Sequence, residues 1–333
     1  MVAERMMLVG EAWGAEEAVA GRPFVGSSGK FLRAMLHECK IKQPIFTNVF
    51  NLRPPQNDVQ HMLTTSKIFA ANLGLPPLVS GRKKQFILAK YEEEVLRLRE
   101  EIRLTNPDVV VALGGTALYA LTGVSGIMSN RGYPYFFEKW RVYGTVHPAA
   151  VLRQYAWKTL LLMDLLKAKE SAPIQERVIF VPETVEEYER ELNTYYLCAP
   201  WVACDAETRD SQITVFGFAA TPTAALVVPI WLQRGGSYWQ TLEEEVEVWE
   251  LTRKVFERVP MVGQNYQYDI SYFWRKYGIA PKKWLGDTML QHHSLQPEMQ
   301  KSLGFLGSAY AEVPGWKHLR KEDDKELDWS KGQ

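Results

Sequence analysis

The stretch MMLVGEAWGAEEAVAGRPFVGSSGKFLRAMLHE, Met6 to Glu38, decides the fold. It opens on an apolar run, Met6 to Ala12, that takes in a glycine and a carboxylate, Glu11. A glycine-rich turn follows, and Ser27 to Glu38 then places its apolar residues at helical spacing. The same alternation returns downstream. Ile45 to Phe50 is rich in β-formers, and Asp108 to Leu113 (DVVVAL) reads as a short buried strand. Gly114-Gly115 turns the chain into a helix from Thr116 to Leu121. Trp140 to Val146 predicts a strand and Ala149 to Glu170 a helix. Gln85 to Leu104 reads as a long charged amphipathic helix stopped by Asn106-Pro107. Gln56 to Arg82 carries few signals and reads as an elaborated loop. Strands alternating with helices imply an α/β unit whose parallel sheet is covered on both faces.

The chain has 333 residues. At roughly 150 residues per domain, that length suggests about two domains. A polar, proline-containing break, Ser171 to Arg177 (SAPIQER), divides them at residues 1–172 and 173–333. Beyond it, Val178 to Val181 reads as a strand and Val185 to Tyr195 as a helix. Trp201 to Glu207, Ile213 to Ala220 and Ala224 to Trp231 read as an antiparallel meander. Helices are expected over Thr241 to Val259 and Tyr268 to Tyr277. This second α/β domain should therefore hold a mixed sheet.

Lys+Arg and Asp+Glu both number 39, so bulk charge alone cannot hold the whole chain to nucleic acid. The balance is uneven, however: residues 1–172 carry 22 basic and 15 acidic side chains, and the remainder 17 and 24. A basic front half can meet phosphate, and an acidic back half can hold metal. The three cysteines, Cys39, Cys198 and Cys204, are not spaced for a zinc or cluster site and suit a reduced, cytoplasmic setting. No apolar run is long enough for a membrane span, and the start does not read as a signal peptide.

Three strand ends in the front half carry chemistry. Glu11 closes the first strand, at the end where open α/β sheets bind ligands. Phe24 follows Pro23 on a loop, where its ring is free to stack on something flat. Asn48 ends the second strand and offers both a donor and an acceptor, as reading an amide or a base edge requires. His147 ends the Trp140 strand. The blocks GEAWG…GRPFVG…SGKFL, TNVFNLRPP, NPDVVVALGGTAL and VHPAAVLR occur in the order of the uracil-DNA glycosylase superfamily, and resemble its family 4 type most.

That resemblance covers about the first 170 residues and implies an α/β/α sandwich that flips the target base out of DNA. Phe24 would stack on uracil, Asn48 would read its amide edge, and His147 would donate to the base oxygen as negative charge builds there. Glu11 would position water and stabilise a cationic sugar. Arg153 and the Ser27-Ser28 loop would touch phosphates. Two departures matter. Trp13 stands where family 4 usually has proline, beside the pocket. Leu52 stands in a block that normally holds one of four cluster cysteines, so no iron–sulfur cluster is expected, and 56–82 is assigned its structural role.

In the back half, Asp205 and Glu207 lie two apart on a strand and so share one face. Like charges this close are costly unless a cation lies between them, and magnesium or manganese would serve. Asn265 and Asp269 follow at the start of a helix. D-x-E-T and N-x-x-x-D, with DTMLQHHSLQPEMQKSLGFLGSAY from Asp287, resemble the DEDD-type 3′–5′ exonucleases and the proofreading domain of phage-type family A DNA polymerases. That implies an RNase H-like mixed-sheet fold with Asp205, Glu207 and Asp269 on metal and Asn265 on substrate. Asp287 is expected to cap a helix, and His292 and His293 to be structural. The family's third motif, a Tyr or His followed by an Asp, is not evident; Asp323, Asp324 and Asp328 lie in a charge run. The expected partners are DNA and a polymerase-domain polypeptide, and the expected setting is the cytoplasm, a host's if the chain is phage-encoded. The other reading is a module that binds DNA or a polymerase without turnover.

Overall fold

The computed structural model describes residues 3–81, 83–232 and 235–315. They form two α/β units. One runs to Ile174 and takes in the described residues from 304 onward; the other is Gln175–Leu303.

In chain order the first unit contains β1 (Arg5–Ala12), α1 (Ala15–Ala20), α2 (Ser27–Glu38), β2 (Gln43–Phe50), the short strands β3 (Leu63–Thr64), β4 (Leu78–Ser80) and β5 (Lys83–Ile87), α3 (Glu92–Thr105), β6 (Val109–Leu113), α4 (Gly115–Thr122), α5 (Ile127–Asn130), β7 (Pro134–Phe137), β8 (Trp140–Thr145), α6 (Pro148–Arg153) and α7 (Lys158–Glu170). The main sheet has the order β2-β1-β6-β8-β7, parallel throughout except for β7 against β8. Met6 to Val9 and Val109 to Leu113 are wholly buried, which explains their unbroken apolar runs: both sides of a central parallel strand are covered. On one side Met7, Val9, Val110 and Ala112 share a core with Val95, Leu98 and Ile102 of α3.

The expected helix from Gln85 starts only at Glu92. Before it, β5 pairs antiparallel with β3 and β4. The Glu92–Glu94 run is suited to a helix N-terminus, where negative charge meets the positive end of the dipole. The elaborated loop thus has a small sheet of its own, and it sends Met62, Leu63 and Leu73 into the main core. The single helix expected over Ala149 to Glu170 is two helices, parted where Gln154 leaves helical geometry (φ −135°, ψ 84°).

The second unit contains β9 (Val178–Phe180), α8 (Val185–Glu191), β10 (Val202–Arg209), β11 (Gln212–Thr221), β12 (Ala224–Pro229), α9 (Leu242–Arg258), β13 (Met261–Gly263), α10 (Tyr266–Tyr277), β14 (Trp284–Asp287) and α11 (Thr288–Leu295). Its sheet has the order β14-β13-β10-β11-β12-β9. The antiparallel meander β10–β11–β12 is flanked by parallel β13 and β14 on one side and β9 on the other, which makes the sheet mixed. Cys204, Phe216, Phe218 and Leu226 form a core with Tyr188, Val248, Phe256 and Phe273.

One assignment from sequence needs correction. The second domain was expected to run from 173 to the end of the chain, yet from Gly304 the helix α12 (Leu303–Tyr310) belongs to the first unit. Specific contacts hold it there. The Tyr133 hydroxyl donates to the Gly304 carbonyl at 2.5 Å. Lys167 Nζ donates to the carbonyls of Ser308 (2.7 Å) and Ala311 (2.6 Å), at the helix end that favours a cation. Tyr143 donates to Glu312, and the Arg131 guanidinium lies 5.3 Å from the Phe305 ring centre. Beneath them the ion pair Arg131–Asp164 is wholly buried, with Thr145 donating to the same carboxylate at 2.7 Å. Asp323, Asp324 and Asp328 lie outside the described residues. Among the described residues no helix is long and apolar enough to cross a membrane.

Candidate functional site

Because β1, β2, β6 and β8 run parallel, their C-terminal ends share one edge of the sheet. That edge receives Glu11 from β1, Asn48 from β2 and, two residues past β8, His147. Gly10 and Asn48 are partners in register. A Cβ on Gly10 would overlap Asn48 Oδ1 and stand 2.6 Å from Phe24 Cζ. The Asn48 amide and the Phe24 ring therefore converge on a point that only glycine leaves open. Phe24 adopts a left-handed backbone (φ 55°), and a Cβ on Gly29 would overlap its carbonyl oxygen, so no side chain fits there. Its buried ring is 5.7 Å from Phe46 and 6.4 Å from His147, with the latter two planes 28° apart. Among the described residues nothing hydrogen-bonds the Asn48 amide, although it is only 3% exposed.

His147 begins α6, and its Nδ1 accepts from the Ala149 amide at 3.2 Å. That assigns the proton of the neutral ring to Nε2. Burial, and after it the charge of Arg153, push the imidazole down to about 4, so it is neutral at pH 7. Glu11 accepts from the Thr116 hydroxyl. Burial raises this carboxyl above its ordinary value, and the Thr116 hydrogen bond opposes the rise. Arg153 is exposed, and its charge acts on both Glu11 and His147. Trp13 is half-buried in the turn after β1; its amide donates to Leu52 O at 3.2 Å, and its indole Nε1 is buried without a partner among the described residues.

Sequence reading missed four supports of this site. Thr116 becomes Glu11's partner only because β6 lies beside β1 and starts α4 there. Glu17 is buried, and accepts from the amides of Gly14 and Gly26, both at 3.1 Å, which ties down the loop that carries Phe24. Its spacing from Gly14 is that of a capping residue and was legible. Arg97 donates to the carbonyls of Asn48 (2.7 Å) and Val49 (3.2 Å) and fixes the end of β2; nothing local marks it. Asp58, from the elaborated loop, acts on Glu11 as a like charge.

In the second unit Asp205 and Glu207 share one face of β10, and a bulge follows at Glu207/Thr208. Asp269, 4% exposed, lies in the first turn of α10. Burial first, then the charge of Asp205, lifts Asp269 to about 7, and partial desolvation followed by Glu207 raises Asp205. Asn265 is exposed at the start of α10 in a left-handed conformation (φ 55°). Asp287 caps α11 by accepting from Met289 N at 2.8 Å, and also accepts from the amides of Asn265 (3.1 Å) and Tyr266 (2.8 Å), so it holds two helix starts together. A cavity of about 430 Å³ lies on the sheet face, between Asp205 and Glu207 and the aliphatic side chains of Val215, Val227 and Val262.

Asp205, Glu207 and Asp269 are hard oxygen donors, the chemistry that a divalent cation such as magnesium or manganese takes. Among the described residues, no group of three His, Cys, Asp or Glu side chains is placed to hold a metal ion. A four-thiolate cluster does not fit the donors of this chain. It has three cysteines; only Cys39 lies in the first unit, buried with Sγ 4.0 Å from Leu162 O.

A sequence family described as "Uracil DNA glycosylase superfamily" matches residues 2–167. The type-4 uracil-DNA glycosylase of Thermotoga maritima is 33% identical over 172 residues, which cover 50% of this chain and 76% of that protein. The type-4 enzyme of Pyrobaculum aerophilum is 30% identical over 174 residues, 48% of this chain and 74% of its own. Among solved structures, the catalytic core of RRP6 from Trypanosoma brucei aligns with a TM-score of 0.34 and 17% identity over 43% of this chain and 37% of that one. Escherichia coli RNase D aligns with a TM-score of 0.33 and 12% identity over 46% and 37%.

Proposed function

The chain belongs to the uracil DNA glycosylase superfamily, and on that footing we propose that its first unit removes uracil from DNA by hydrolysing the glycosidic bond. The observation that carries this reading is the convergence of the Phe24 ring and the unpartnered Asn48 amide over Gly10, with His147 and Glu11 at the same sheet edge. A flipped pyrimidine would lie against Phe24 with its amide edge on Asn48. As the bond from C1′ to N1 breaks, its electron pair moves into the base. The neutral imidazole donates from Nε2 to the base oxygen on which that charge collects. A neutral donor suits the task, since it gives a hydrogen bond without surrendering its proton. Glu11, ionised, stabilises the cationic sugar and takes a proton from the water whose oxygen joins C1′. Trp13 borders the base, and Arg153 and the start of α2 meet phosphates.

The second unit we read as a metal-dependent 3′–5′ exonuclease, acting with a DNA polymerase polypeptide in a cytoplasmic, phage-type replication or repair setting. Bound magnesium or manganese would supply an activated water and charge for the leaving oxygen. Asp205, Glu207 and Asp269 would hold it, and Asn265 would touch the strand. Asp269 argues for this role, because a cation is what would let a buried carboxyl held near 7 ionise beside Asp205.

The test uses a 5′-labelled oligonucleotide with one uracil, single- and double-stranded, in EDTA and in magnesium. Alkali-labile cleavage at uracil in EDTA, lost in Glu11→Gln and Asn48→Ala and reduced about 10²–10³-fold in His147→Ala, supports the first site. A magnesium-dependent ladder from the 3′ end, lost in Asp205→Ala, supports the second. The basic excess of residues 1–172 favours a second reading, a module that binds DNA or a polymerase without turnover. Retarded migration of the oligonucleotide with neither product would establish it.

A further inference from the structure

Tyr155 sits just past the end of α6 and is 64% exposed. Its one ring neighbour among the described residues is the half-buried Phe31 of α2, with centroids 6.5 Å apart and planes 60° from parallel. Four residues before Phe31, on the same side of α2, the exposed Ser27 opens that helix. Arg153 is exposed two residues before Tyr155, and Lys30 is exposed beside Phe31. His147 caps the other end of α6. Six helical residues span about 9 Å, so Tyr155 stands on the order of 10 Å from His147, roughly three stacked-base rises.

We infer that Tyr155 and Phe31 form a stacking shelf for the unpaired bases that flank the extruded nucleotide, and that this face therefore favours single-stranded DNA. A base can lie on an aromatic ring only if no neighbouring base already covers that face, and single strands expose such faces while duplexes hide them. Stacking on tyrosine is indifferent to base identity, as a search for a single uracil requires. The charges agree, since Arg153, Lys30 and the amides at the start of α2 supply phosphate contacts around an apolar ring pair, and residues 1–172 carry the chain's basic excess. Nothing acidic intervenes in Leu152 to Trp157. The shelf presupposes that the pocket beside His147 takes the extruded base, as proposed above.

The test titrates the full chain, in EDTA, onto single-stranded oligonucleotides with one uracil and 2-aminopurine at one of the three positions on either side. Binding should change the emission at one or more of these positions. Tyr155→Phe should keep that change. Tyr155→Ala should remove it and weaken single-strand binding about tenfold, while affinity for the matching duplex moves less than twofold. An emission change that persists in Tyr155→Ala, or an equal loss on single strand and duplex, would overturn the shelf. Excision is scored separately on the same samples. If the wild type releases no uracil but the Tyr155 effects hold, the shelf stands and the glycosylase reading falls. If uracil is released and Tyr155→Ala behaves as wild type, the shelf falls alone.

Discussion

Replacing Thr116 by valine removes one hydroxyl and almost no volume. Thr116 is 9% exposed in the first turn of α4, and valine is close to isosteric, so the fold and the start of α4 should survive. What is lost is the hydrogen bond to Glu11, a carboxylate already pushed up by burial. A hydrogen bond to a charged group contributes about 1.5–3 kcal/mol, and about 1.4 kcal/mol equals one pKa unit. Glu11 in Thr116→Val should therefore titrate higher than in the wild type. The proposed reaction needs the ionised carboxylate, so activity rises with pH through this titration, and the acid limb of kcat/KM for uracil release should move to higher pH. At a pH on the limb the loss should reach tenfold or more; well above it, the variant should approach wild type. Thr116→Ser should restore the wild-type profile. A limb that does not move, or a loss by the same factor at every pH, would refute the reasoning and leave Thr116 as packing alone.

Three further outcomes follow from the same geometry. Gly10→Ala should raise KM for uracil-containing DNA or abolish turnover, and should also lower the melting temperature, because the added methyl overlaps the buried Asn48 Oδ1 and Phe24 Cζ and forces both to shift; calorimetry beside a kinetic assay checks both halves. Magnesium binding to the second unit should tighten as pH rises from 6 to 8 and release a proton below about 7, since Asp269 must ionise to ligate; without metal the same raised carboxyl should cost stability as pH rises from about 4 to 7. Isothermal titration in buffers of different ionisation enthalpy would show no proton release if Asp269 is not a ligand. Ending the chain after Leu303 should lower the melting temperature of the first unit by roughly 10 °C, because Phe305 and Leu306, each 9% exposed, are lost from it. An unchanged melt would mean that the returning helix contributes nothing to that unit.

Local pattern carried much of this protein. The apolar stretches Met6 to Val9 and Val109 to Leu113 announce central strands because a strand buried on both faces is apolar along its length. Ser27 to Glu38 shows its helix outright, and the alternation of Asp205 and Glu207 puts both carboxylates on one face whatever surrounds them. Glu11, Asn48 and His147 could be named from sequence because each stands where a strand stops. Which groups meet them is another matter. Thr116 is 105 residues from Glu11, and Arg97 is 49 from Asn48. Both contacts exist only because β1 pairs with β6 on one side and with β2 on the other. Gln85 to Ile87 reads as the start of the long charged helix, yet the pairing of Phe86 with Thr64 and of Ile87 with Leu63 makes it part of a strand. The segment from Gly304 resembles the second domain in sequence but belongs to the first unit, because Tyr133, Lys167 and Arg131 are there to receive it. Spacing along the chain determines which residues share a face; pairing between distant segments decides what that face meets, and no local pattern encodes it.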